Sequence, residues 1–65
     1  MQRYWWTYKN EKVLDRGIAK TFRGIDRRAM RVHRCGANLM YTYSKEDREA
    51  CIREMGLIEV KNVAD

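Results

Sequence analysis

Proline is absent from the 65-residue sequence, histidine and phenylalanine each occur once, and cysteine occurs twice. With no proline, no Gly/Ser-rich stretch and no repeat, nothing marks a linker, so the chain is expected to form one compact unit with its last few residues frayed. No apolar run approaches the roughly 20 residues that cross a bilayer, and the longest candidate, Leu39-Met40-Tyr41, ends at once. The opening Met1-Gln2-Arg3-Tyr4-Trp5-Trp6 lacks the apolar core of a secretory signal, which points to a cytoplasmic setting. Cys35 and Cys51 are then expected as reduced thiols rather than a disulfide framework.

The same scarcities exclude most chemistry. His33, Cys35 and Cys51 fall one ligand short of a closed tetrahedral zinc site, and on a helix His33 and Cys35 would diverge by about 200°. There is no glycine-rich phosphate loop, and Glu46, Asp47 and Glu49 read as partners of a helix dipole rather than as an acid/base pair. A chain this short buries only about 60% of its unfolded surface, which leaves little room for an enclosed pocket beside a core. The expectation is a non-enzymatic protein without metal or cofactor.

What the sequence does hold is positive charge and aromatic area. Fourteen Lys and Arg against nine Asp and Glu leave a net charge of +5, with a pI near 9.6. The charge is divided: residues 1–43 carry ten bases and three acids, residues 44–65 four bases and six acids. From Lys12 to Arg34 the apolar residues Leu14, Ile18, Phe22, Ile25, Ala29 and Val32 recur every three or four positions, which predicts one long amphipathic helix. Arg16, Lys20, Arg23, Arg27, Arg31 and Arg34 fall on the opposite side, with Arg28 nearby, in a stripe of about 27 Å. Asn10 offers an N-cap and Gly36 a left-handed exit. Gly17 and Gly24 speak against so long a helix. A break near Gly24, or a strand over Met30 to Cys35 turning at Gly36-Ala37-Asn38, is the alternative.

Arg3 to Tyr8 and Asn38 to Tyr43 are rich in aromatic and β-favouring residues and predict two strands. Ser44 followed by Lys45-Glu46-Asp47 is a capping signature for a second helix running to Met55, stopped by Gly56 and burying Cys51, Ile52 and Met55. Leu57 to Val60 predicts a third short strand. The expected fold is α/β: a small two-layer β-α-β-α-β sandwich whose parallel three-stranded sheet carries both helices on one face. The other sheet face would lie uncovered. In strand one, Trp6 with Tyr4 or Tyr8 is expected in the core and Trp5 on the open side, stacking on a base or meeting a second copy.

These features predict a nucleic-acid-binding protein, for DNA or RNA, that sets Arg16, Lys20, Arg23, Arg27, Arg28, Arg31 and Arg34 against phosphates, aided by Trp5. No Asn or Gln stands between Glu11 and Arg34 to read bases, so weak sequence preference is expected. The alternative is a protein-interaction module that docks the same helix, or the aromatic sheet face, on an acidic protein. Small accessory and inhibitor proteins of phages and other mobile elements are often of this kind. Neither reading involves a membrane, and homodimerisation is compatible with both.

Overall fold

The computed structural model describes residues 1–59. It has five elements: β1 (Arg3–Lys9), β2 (Lys12–Ala19), α1 (Phe22–Arg34), β3 (Asn38–Thr42) and α2 (Lys45–Glu54). One three-stranded sheet and two helices make a small α/β fold, as expected. The chain order, however, is β-β-α-β-α, and both strand pairings are antiparallel, in the order β2-β1-β3.

The difference arises in the first half of the expected long helix, where residues 12–19 form a strand instead. A spacing of four puts Leu14 and Ile18 on one side of a helix, but four is also an even number, so a strand satisfies it equally. The hairpin is closed by Asn10 and Glu11, whose φ values of 51° and 67° are left-handed at both positions, the geometry that two-residue turns need to match strand twist. Asn10 is therefore a turn residue and not an N-cap. A bulge shifts the register from Thr7↔Asp15 to Tyr8↔Val13, which buries β-branched Val13 and leaves Leu14 half-exposed.

Gly17, an objection to a helix, suits this strand. It lies opposite Trp5, and a Cβ built on it would stand 2.7 Å from Trp5 Cζ2. The indole occupies the space a side chain would need. Gly17→Ala should therefore destabilise the fold by about 1–3 kcal/mol through overpacking. A urea melt indistinguishable from wild type would show that this contact is not tight.

α1 starts at Thr21, whose hydroxyl accepts from Gly24 N at 3.2 Å. The chain changes structure at Lys20-Thr21 rather than at Gly24, and Met30 to Arg34 is helix, not strand. At its end Gly36 (φ 74°) donates to His33 O and Ala37 to Val32 O, both at 3.0 Å, which satisfies the last carbonyls in a Schellman arrangement. α2 starts at Ser44, which accepts from Asp47 N at 3.1 Å, and ends in the same way at Gly56 (φ 69°). Among the described residues of the expected third strand, Leu57 to Glu59, Ile58 alone forms a bridge, to Lys12 of β2. Val60 and the expected frayed tail, Lys61 to Asp65, lie outside the described residues.

The two helices cover opposite faces of the sheet, so neither face is left bare. Side chains alternate along β1. Trp5 packs with Ala19, Ile25, Leu39 and Tyr41 beneath α1, and Trp6 with Val13, Ile52, Tyr8, Cys51 and Leu57 beneath α2. β1 is the central strand and is covered on both sides, which explains its unbroken Tyr4-Trp5-Trp6-Thr7-Tyr8 run. Trp6 belongs to the core as expected. Trp5, expected on an open surface, is only 3% exposed.

Candidate nucleic-acid interface

α1 is 13 residues long, about 20 Å, and so is much shorter than the helix expected from Lys12 to Arg34. At about 100° per residue, Phe22, Ile25, Ala29 and Val32 fall within an arc of roughly 80°, and Ile25 is buried against the sheet. Arg23, Arg27, Arg31 and Arg34 fall within an equal arc centred on the opposite side. All four are exposed. They span about 16 Å along the axis. Among the described residues none of them forms an ion pair with a carboxylate.

The arginine charges and the local shape favour an anion here, while the helix dipole favours the cations themselves. Arg31, His33 and Arg34 occupy the last turn of α1, where positive charge complements the helix dipole. Because Gly24 has no side chain, it opens a hollow of about 250 Å³ walled by Arg27, Arg28 and Arg31. A second hollow is lined by Arg27, Met30, Arg31, Arg34 and Cys35. Asp26, the acid on α1, lies about 60° round the helix from Arg23, on the β3 side of the stripe.

Of the remaining expected site residues, Arg28 borders this group and the others separate from it. Lys20 is exposed in the connection that precedes α1. Arg28 lies on the flank of α1 with its guanidinium 4.3 Å from the Trp5 ring centroid, where it roofs the indole. Trp5 is thus closed off between Gly17 and Arg28 and offers no ring to a base. Arg16 leaves the stripe altogether. Its strand position turns it to the α2 face, where Nη1 lies 2.7 Å from Glu49 and 2.9 Å from Glu59. Beside it Arg48, only 2% exposed, donates to Gly17 O at 3.1 Å and lies 3.6 Å from Glu49 Oε2. Among the described residues two bases and two acids meet here, so Arg16 is held in an ion-pair network on the α2 face.

One cluster escapes sequence reasoning. The Arg3 guanidinium sits 3.6 Å from the Phe22 ring centroid, Phe22 meets Tyr41 edge-on at 6.0 Å, and Tyr41 meets Tyr43 edge-on at 5.8 Å. These residues come from β1, α1 and β3 and its C-terminal side, and no local spacing links them. The Tyr41 phenol is held above its usual value, first by its side-chain hydrogen bond with Tyr43 and then by burial, so it stays neutral beside the basic helix at physiological pH.

Both cysteines are free thiols. Among the described residues no three His, Cys, Asp or Glu side chains are grouped to hold a metal ion, and no helix is long and apolar enough to cross a membrane. Comparison with known protein families, curated proteins and solved structures finds no match to this chain.

Proposed function

We propose that this protein binds nucleic acid through the outer face of α1, with Arg23, Arg27, Arg31 and Arg34 on phosphates and no catalytic step. The observation that carries the reading is that these four arginines share one exposed helix face and none is engaged by a carboxylate among the described residues. An arginine left unpaired in this way supplies a rigid fork of donors suited to phosphate oxygens. A helix face about 16 Å long matches a few successive phosphates. α1 holds neither Asn nor Gln, so contacts to the backbone outweigh base reading. Two free thiols fit a reducing, cytoplasmic setting.

Salt dependence tests this reading. Four phosphate contacts give a slope of log K against log salt of about −3.6 on duplex DNA and about −2.8 on a single strand. Anisotropy of labelled duplex DNA, single-stranded DNA and RNA should show affinity for duplex falling about a hundredfold between roughly 50 and 200 mM salt. A labelled ligand is the suitable reporter, because both tryptophans are buried. Weak binding that does not respond to salt overturns the proposal. It would favour the second reading, docking on an acidic protein, which Met30 supports: it is 63% exposed beside three of the arginines.

A further inference from the structure

We infer that the free edge of β3 pairs with the β3 edge of a second copy of this chain, joining two sheets into one of six strands. This rests on the sheet and not on the nucleic-acid reading.

The argument begins with the charge pattern. Charged residues make up 35% of the chain, yet none occurs from Cys35 to Ser44, the longest uncharged stretch in the sequence. The next longest, Tyr4 to Tyr8, lies in β1, which is paired on both sides and needs no protection. β3 is paired with β1 on one side only. An open edge is normally blunted by charge, proline, a bulge or a cover, because its unpaired backbone groups form a template for another strand. β3 has none of these among the described residues.

The opposite edge does. β2 carries Lys12, Asp15 and Arg16, contains the bulge, and has its first residues covered by Ile58, which exchanges hydrogen bonds of 2.8 and 2.9 Å with Glu11 and Val13. One edge is guarded by three devices and the other by none.

The residues of β3 suit their own twofold image. Antiparallel pairing centred on Met40 sets Met40 against a second Met40, Leu39 against the second copy's Tyr41, and Asn38 against its Thr42. Aliphatic and aromatic side chains then meet on the α1 face, where Leu39 and Tyr41 already pack on Trp5. Met40, 41% exposed, meets its mate on the α2 face.

A twofold axis normal to the sheet keeps both α1 helices on one face. The flank of α1 turned towards β3 carries Phe22, which touches Tyr41, and at similar wheel angles Asp26 and His33. None of the α1 arginines lies on that flank, where the Arg3 guanidinium is stacked on Phe22, so the two copies approach without opposing their basic stripes. Both stripes face outward on the same side of the joined sheet.

Sedimentation equilibrium from about 5 to 500 µM, at about 150 mM salt, tests the inference on the full chain. Wild type should pass from 7.8 kDa to twice that mass. Met40→Lys places two cations opposite each other and should raise the dissociation constant at least tenfold, while Ile18→Lys on the β2 edge should leave it unchanged. Hydrogen exchange on wild type provides a measurement independent of any variant: those amides of residues 38–42 that point away from β1 should gain protection as concentration rises. A monomer across the whole range, or a dimer indifferent to Met40→Lys with no concentration-dependent protection in β3, overturns it.

Discussion

Reversing the charge of Arg23, Arg27 and Arg31 together, each to Glu, is expected to abolish nucleic-acid binding at physiological salt, a loss of at least a hundredfold. Three reversals change the net charge by −6, from +5 to −1, and leave Arg34 as the one cation of the α1 stripe. The slope of log K against log salt should fall from about −3.6 to about −0.9 or less in magnitude, because each phosphate contact removed takes about 0.9 from it. The fold should survive. The three side chains are exposed and unpaired among the described residues, and surface changes of this kind shift stability by about 0.5 kcal/mol or less each. A circular dichroism melt of the variant therefore separates lost binding from lost structure. As a contrast, Arg16→Glu should damage stability rather than act through the interface, because it replaces the partner of Glu49 and Glu59 with another acid. A folded triple variant that binds duplex DNA as tightly as wild type would remove α1 from the interface.

The largest effect on stability is expected at Trp6. Its side chain is fully buried at the centre of the α2-side cluster with Val13 and Ile52. Truncation to Ala loses about 3–5 kcal/mol in burial and cavity formation. A single small core rarely supplies more than about 3–5 kcal/mol in total, so Trp6→Ala should be largely unfolded at 25 °C. Trp6→Phe should keep a cooperative transition and lose only about 1–2 kcal/mol, because it keeps most of the apolar volume. The indole Nε1 has no hydrogen-bond partner among the described residues, so the replacement breaks no polar contact. Cooperative melting of Trp6→Ala close to the wild-type midpoint would mean that the α2-side cluster is not where stability resides.

Several parts of this fold are legible locally because local interactions form them. Ser44 with its following acids marks the start of α2, Gly36 and Gly56 mark the two helix exits, and Asn38 to Thr42 carries the composition of a strand. Residues 12–19 are the exception, because the two candidate periods coincide there. Leu14 and Ile18 suit either geometry, and the helix reading missed the hairpin because Glu11, rather than the usual Gly, takes the second left-handed position of the turn. The misreading of this one segment propagated. Once β2 is a strand, the sheet becomes antiparallel, the helices divide between its faces, Arg16 passes from a basic stripe to an ion-pair network, and Trp5 passes from an open platform to the core.

The amino-acid sequence by itself determined the α/β class, the start of α2 at Ser44, the two helix exits at Gly36 and Gly56, and the basic face from Arg23 to Arg34. All of these depend on residues within about three turns of each other, where spacing and capping chemistry act directly. Tertiary structure alone decided which cations belong to the surface and which aromatics belong to the core. Arg16 meets Glu49 across 33 residues of chain, and Trp5 finds the space left by Gly17 only when the hairpin closes. Such partners are chosen by strand register and by the face each helix covers, and no spacing along the chain encodes either.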